Sequence, residues 1–275
     1  MLKVIQRIAR TEVLEHRRQP WMLVILAANY AVLIGVFTAM FLLFDRVSGD
    51  PAQMATVKQQ MGQFGVAFDA FLRLATSSFG SLLFTNLPLF VAIMSGTSVL
   101  HDRECGTMPF LMLAPLTRRH LLVGKLVGAM AIPVAMHVVL VGVSTLLLGR
   151  LDVLAPYAEM FGGSAAWWVA LLAGAPASAA FVGALGTVIS ALSRDIRTSM
   201  QYTSFFIGFL SLGIGFVLVD AISEGVGLQI AFAVGCVVAA AITLLVGARL
   251  ISEDLGRVRD LEGGGILKGI LGGVT

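Results

Sequence analysis

The stretch "WMLVILAANYAVLIGVFTAMFLLF", residues 21–44, carries no charged side chain. A helix rises about 1.5 Å per residue, so roughly 20 apolar residues cross a hydrocarbon core about 30 Å thick. The preceding segment is basic, but this run is too long for the core of a signal peptide, and no small-residue cleavage site follows it. We therefore predict that residues 21–44 form an uncleaved membrane span.

Composition extends this interpretation to the whole chain. Apolar residues make up 57% of the 275 residues and charged residues only 13%, and the mean hydropathy is +0.91. Lipid satisfies no backbone hydrogen bonds, so spans of this kind must be helices. We predict an all-α integral membrane protein with six transmembrane helices. The predicted spans cover about 21–44, 79–100, 121–148, 165–192, 202–219 and 226–250. The second could begin earlier, because residues 65–75 are apolar enough to extend it or to form an external amphipathic turn.

Lysine and arginine divide unevenly between the two sides of these spans. With Lys125 and Arg249 counted at the span ends where they lie, the two terminal tails and the segments after the second and fourth spans carry 15, whereas the segments on the other side carry 4. Basic segments of membrane proteins face the cytoplasm. We therefore predict a multi-pass protein of a bacterial-type inner membrane with both termini cytoplasmic. Its basic residues would meet lipid headgroups, and nucleic acid is not an expected partner.

The chain divides into three predicted regions. Residues 1–20 alternate apolar and basic side chains in a near-helical pattern, which predicts a cytoplasmic amphipathic helix lying along the membrane surface. Residues 21–251 form the six-span domain. Residues 252–275 form a cytoplasmic glycine-rich tail, for which flexibility is expected.

Tryptophan residues lie near the ends of two predicted spans. Trp21, Trp167 and Trp168 are expected to anchor the helices at the membrane interface, where amphipathic rings are enriched. A stacked binding site at Trp167 and Trp168 is the alternative interpretation.

No catalytic machinery is apparent in the sequence. Gly124 and Lys125 are followed by Leu126, so they do not complete the phosphate-binding pattern G-x-x-x-x-G-K-[ST], and the patterns H-E-x-x-H and G-x-S-x-G do not occur. His137 lies deep in the third span, where we expect packing or a hydrogen bond between helices rather than proton relay. We predict no catalytic residue, no metal site and no cofactor bound by this chain.

The most distinctive segment is "HDRECGTMPFLMLAPLTRRH", residues 101–120, between the second and third spans. Thr107 is suited to cap a short helix, and Pro115 disfavours its continuation. Thr117 is suited to cap the next helix, which leads into the third span. A helix of one to two turns is unstable alone in water, so it must dock on something. We predict a short cytoplasmic helix here.

This segment resembles the signature "E-x-E-x-G-T … L-L … P-x-[ST]-R … G-K" of type-2 ATP-binding cassette (ABC) exporter permeases, of the branch that includes multidrug- and sodium-export subunits. The matching positions are Asp102, Glu104, Gly106, Thr107, Leu111, Pro115, Arg118, Gly124 and Lys125. Asp102 stands where the family usually has Glu. The order of spans and termini also resembles that family.

The resemblance implies a membrane-spanning permease subunit that couples ATP hydrolysis by a separate nucleotide-binding subunit to export. In that family the short helix is a coupling helix seated in a groove of the ATPase, and two permeases join two ATPase subunits. ATP and Mg²⁺ would be bound by the partner subunit, and a second permease copy, identical or a close paralogue, completes the complex. The expected contacts are Asp102, Arg103, Glu104, Gly106, Thr107, Phe110, Leu111, Leu113, Arg118 and Arg119, of which Arg118 and Arg119 would meet either the partner or lipid phosphates.

Two other functions fit six spans and short loops. An ATP-independent carrier would transport in a proton or sodium gradient without nucleotide, and a non-transporting anchor or assembly protein would not co-purify with an ATPase. The sequence does not identify the transported substrate.

Overall fold

The structure, a computed structural model, describes residues 2–18, 20–107 and 117–271, with side chains described in 3–15, 21–107 and 117–251. Apart from short turns between helices, the described part is helical and contains no strand, in agreement with the predicted fold class. Its helices are α1 (Leu2–Arg18), α2 (Pro20–Ser48), α3 (Pro51–Gln63), α4 (Phe68–Glu104), α5 (Arg118–Leu148), a 3-10 helix (Asp152–Phe161), α6 (Ala165–Leu192), α7 (Ile196–Glu224) and α8 (Val226–Leu271).

Six of these helices, α2 and α4 to α8, are long and apolar enough to cross a membrane, which confirms the predicted number of spans. Several of these helices are longer than the spans predicted from hydropathy. The helix α4 begins at Phe68, within the earlier start left open for the second span, and α7 begins at Ile196, before the predicted start at 202. Polar residues such as Asp69 and Arg73 lower the hydropathy of a segment without breaking its helix.

The chain beyond residue 251 also differs from the expectation of a flexible tail. The helix α8 continues through the glycine-rich segment as far as Leu271. The segment from 249 to 262 is rich in Leu, Arg and Glu, which are good helix formers. The predicted coupling helix lies largely in residues 108–116, outside the described residues.

The centre of the bundle is formed by α4 and α6. In the most apolar window of α4, 72% of the residues are buried, against 11% in α2, so α2 lies at the periphery. Glycines bring the two central helices together. A Cβ atom at Gly183 would come within 2.7 Å of Val91, and one at Gly186 within 2.8 Å of the Ala92 carbonyl oxygen. These approaches are of the small-residue type that packs membrane helices closely.

Aromatic rings fill the core at the end of the bundle away from residue 104. Trp167 is fully buried, with its ring centroid 5.1 Å from that of Phe84 and 6.3 Å from that of Phe161. It is thus an interior residue in this structure, where the sequence predicts an interfacial anchor. The reason is that Trp167 lies in the first turn of α6, on the side of that helix that faces the core. Trp168 is half-buried and donates from Nε1 to the Gly162 carbonyl at 3.0 Å, and Trp21 is 56% exposed.

A polar pair joins α2 to α5 inside the bundle. The Tyr30 hydroxyl lies 2.6 Å from His137 Nδ1, and both side chains are fully buried. This contact is the hydrogen bond between helices that was expected for His137.

Three prolines lie inside spans and are accommodated in different ways. Pro88 and Pro133 lie within the continuous helices α4 and α5. Pro176 follows a π-helical turn, Ala170–Gly174, in α6. A second π turn, Thr203–Ile207, interrupts α7. A π turn changes the hydrogen-bond register locally, which accommodates a residue without an N–H.

Candidate functional site

The residues of the permease signature lie at the end of the bundle where α4 ends and α5 begins, which we call the basic end. Here α4 stops in a Schellman motif. Gly106 has φ = +70°, and its N–H donates to the Arg103 carbonyl at 3.1 Å, while the Thr107 N–H donates to the Asp102 carbonyl at 2.9 Å. Because a left-handed φ disfavours residues with a Cβ, this geometry accounts for the glycine of the signature.

The Thr107 side chain closes the same turn. Its Oγ1 atom lies 3.1 Å from both the backbone carbonyl oxygen and the Oδ1 atom of Asp102. The D-x-E-x-G-T sequence of residues 102–107, which matches the start of the signature, is therefore a helix stop in which Asp102 fixes Thr107. Residues 108–116 follow directly.

The chain re-enters the described region at Thr117, which is the N-cap of α5 as predicted. Its Oγ1 accepts a hydrogen bond from the His120 N–H at 3.4 Å and lies 2.9 Å from His120 Nδ1. Arg118 is half-buried and Arg119 is exposed in this first turn. The 108–116 segment thus leaves one capped helix and enters another.

Directly below the end of α4 lies a buried ion cluster formed by Glu12, Asp102 and Lys125. The Lys125 Nζ atom is 2.5 Å from Glu12 Oε2 and 2.8 Å from Asp102 Oδ2. The three side chains are 2 to 6% exposed. One cation between two carboxylates satisfies charges that would be costly to bury alone. The cluster joins α1, α4 and α5 at one point.

Packing explains why α1 reaches this position. A Cβ atom at Gly124 would lie 2.7 Å from the Ile8 Cβ, and one at Gly128 would overlap the Glu12 side chain. The two glycines, one turn apart on α5, leave a shallow depression on its surface, and α1 packs into this depression. Ile5, Ile8 and Glu12 recur at helical spacing along the face of α1 that turns toward α5.

Burial changes the acidity of the cluster. Desolvation raises the pKa of the Glu12 carboxyl from 4.5 to about 7, although the neighbouring Lys125 cation opposes the rise. Near neutral pH, this carboxyl therefore exists in both protonation states.

The last two turns of α4 are also tied to α6 and α7. Ser190 Oγ accepts hydrogen bonds from the Val99 and Leu100 N–H groups at 3.2 and 3.1 Å. From α7, Ser199 Oγ donates to the Gly96 carbonyl at 2.6 Å. The Arg103 guanidinium donates to the Ser193 carbonyl at 3.4 Å.

The structure brings together only part of the predicted contact set. Asp102 is buried, Arg103 is half-buried, and Glu104, Gly106 and Thr107 are exposed around the end of α4. Phe110, Leu111 and Leu113 lie outside the described residues.

Sequence reasoning missed the role of Glu12, and it treated Lys125 only as a topogenic charge and part of the signature. The sequence did contain a signal for the role of Glu12, because this residue lies on the apolar stripe of α1, seven residues after Ile5. A carboxylate on such a stripe needs a buried cation.

The arrangement ties helices together. Its polar groups hold helices to one another, and five helices meet at the end of α4: α1, α4 and α5 through ions, and α6 and α7 through hydroxyl groups. A displacement of the segment after Thr107 would act on helices that are joined together rather than on a loose loop.

The comparison with known families agrees with this geometry. A family profile described as "ABC-2 family transporter protein" matches residues 6–231, which include the whole ion cluster and both ends of the 108–116 segment. No curated protein sequence matches the chain. The match covers most of the 275 residues. The chain therefore belongs to the ABC-2 transporter family, as a multi-pass transmembrane component.

Proposed function

We propose that the chain is the permease subunit of an ATP-driven exporter. ABC-2 permeases normally work with a separate ATP-binding subunit. That subunit would bind ATP and Mg²⁺ and supply the hydrolysis, and this chain would form the pathway with a second permease copy. The basic end would face the cytoplasm of a bacterial-type inner membrane, with both termini on that side.

The observation that carries this proposal is the fixation of both ends of the 108–116 segment. Thr107 is held to buried Asp102, which pairs with Lys125 of α5. Thr117 caps the same helix α5. A partner that pushes on the segment would therefore move α4 and α5 together. A loop that served only as a connection would need no such attachments.

The proposed cycle follows from this connection. When ATP closes the ATPase dimer, the docked segment around Phe110 and Leu113 moves. The ion cluster passes the movement to α1, α4 and α5, and the serine contacts pass it to α6 and α7. The pathway between two permease copies then changes the side to which it opens.

Substitution of Phe110 and Leu113 by Asp tests the proposal. The matched control is Phe64→Asp, because Phe64 is 82% exposed beyond α3, on the side that the proposed topology places outside. In a reconstituted complex, the Phe110→Asp, Leu113→Asp double variant is expected to lose ATPase assembly and nucleotide-driven export, and Phe64→Asp to retain both. Export that persists in the double variant, or that runs on an ion gradient without nucleotide, would contradict the proposal.

A further inference from the structure

A second feature of the basic end is a groove between α1, α5 and α8. It has a volume of about 920 Å³. Its floor is apolar and includes Ile5, Val123, Leu244 and Leu245. The ion cluster lies elsewhere, between α1, α4 and α5. The groove is therefore a separate feature of the surface.

The mouth of the groove is basic. Arg118, Arg119 and His120 line it from the first turn of α5, and Arg249 lines it from α8. No Asp or Glu occurs among the described residues that line it. The Arg118 Nη1 atom is buried without a hydrogen-bond partner within the described part of the chain. A buried guanidinium nitrogen in this state is suited to an anionic oxygen acceptor.

The positions of the groove residues along the spans match the layers of a bilayer, with charged groups at the surface and apolar groups further in. The basic residues lie at the first turn of one span and the last turn of another, whereas Val123 and Leu244 lie about one turn further in. A lipid in this position would place its phosphate among the arginines and an acyl chain along the apolar floor. Basic pockets between the ends of transmembrane helices are a known setting for anionic headgroups.

We propose that this groove binds an anionic phospholipid, held by Arg118 and Arg119 through its phosphate and by the α5–α8 floor through an acyl chain. The binding is selective for headgroup charge. An acyl chain gains little by leaving a bilayer that is as apolar as the groove, so the preference comes from the guanidinium contacts. The site does not depend on the proposed transport function.

The test measures lipids retained by the full-length chain in nanodiscs of phosphatidylglycerol and phosphatidylcholine in equal parts, released into native mass spectrometry. Each basic residue near an anionic surface contributes about 1 kcal/mol, so an Arg118→Gln, Arg119→Gln double variant is expected to bind phosphatidylglycerol about 30-fold more weakly. The matched control is Arg73→Gln with Arg150→Gln, because both arginines are exposed and lie outside the basic end. This control is expected to retain the lipid.

A second variant tests the floor without changing charge. Ala241 lines the groove and is exposed, so Ala241→Trp fills the groove from the surface without disturbing the interior. It is expected to lose the bound phosphatidylglycerol while keeping its thermal stability. Inorganic phosphate, added as a separate probe, is expected to leave the retained lipid unchanged.

Three results would overturn the proposal. One is equal retention of the two lipids by the wild-type chain. Another is displacement of the lipid by inorganic phosphate, which would make the site one for free anions. The third is an Arg118→Gln, Arg119→Gln variant that keeps the lipid but no longer assembles with the ATP-binding subunit, which would make the arginines a protein contact.

Discussion

Replacement of Lys125 by Met tests the buried ion cluster most severely. Met keeps the length and apolar packing of the lysine stem but removes the charge that lies 2.5 Å from Glu12 and 2.8 Å from Asp102. Two buried carboxyl groups then face each other without a cation. Removal of one partner from a buried ion pair costs about 3 to 5 kcal/mol, and we expect Lys125→Met to reduce the free energy of unfolding by this amount.

The cause can be separated from a simple loss of packing. The triple variant Glu12→Gln, Lys125→Met, Asp102→Asn removes all three charges and keeps an acceptor for Thr107. Because a neutral buried cluster leaves no charge unpaired, the triple variant is expected to be more stable than Lys125→Met alone. The exposed residue Lys3 provides the control, and Lys3→Met is expected to change stability by less than about 0.5 kcal/mol.

The assay is unfolding of the purified chain in mixed micelles, followed by the loss of helix signal, with half-life at fixed temperature as the second measure. The reasoning would be refuted if the free energy of unfolding of Lys125→Met lay within about 1 kcal/mol of the wild-type value, because an unpaired buried charge is expected to cost about 3 to 5 kcal/mol. It would equally be refuted if the triple variant were the less stable of the two.

Three further predictions concern the same end of the bundle. Gly106→Ala is expected to cost about 1 kcal/mol in unfolding free energy, because φ = +70° is disfavoured for a residue with a Cβ. Because the pKa of Glu12 is raised from 4.5 to about 7, its contribution to stability is fully present below pH 4.5 and is lost as pH rises to 7. The free energy of unfolding of the wild-type chain is therefore expected to fall by about 3 kcal/mol between pH 4.5 and pH 7, and this fall is expected to be absent in Glu12→Gln. Gly128→Ala is expected to displace α1 from its contact with α5, which costs about 1 to 3 kcal/mol in unfolding free energy and increases proteolysis of α1. The control is Gly142→Ala in the same helix, where a Cβ atom would meet nothing within 4 Å, and this variant is expected to show neither effect.

The number of spans was predictable because hydropathy alone decides which segments enter lipid. Their ends were less predictable. The start of α7 at Ile196 depends on Asp195, whose Oδ1 accepts from the Thr198 N–H at 2.8 Å. This cap is a local signal that a hydropathy window does not contain. By contrast, Thr117 was recognisable as a cap because the apolar run of α5 begins four residues after it, at Leu121.

The candidate site was predictable only in part, because its contacts connect distant parts of the chain. The Gly106–Thr107 turn is local and follows from the signature. The pairing of Glu12 with Lys125, and of Ser190 with the Val99 N–H, depends on how α1 and α6 pack, which sequence spacing does not specify. Trp167 shows the same limit, since its position near a span end gave no information about which side of α6 faces the core.

The central claim is that a separate ATP-binding subunit contacts the chain at the segment between α4 and α5. Cys105 is exposed beside this segment and Cys236 is buried, so a thiol-directed photo-crosslinker labels the native chain selectively at residue 105. In the assembled complex, illumination is predicted to capture the ATP-binding subunit from Cys105 but not from a Phe64→Cys, Cys105→Ser variant labelled at the opposite end. Failure to capture it from Cys105 in a complex that hydrolyses ATP, or its capture from position 64 instead, would contradict the account.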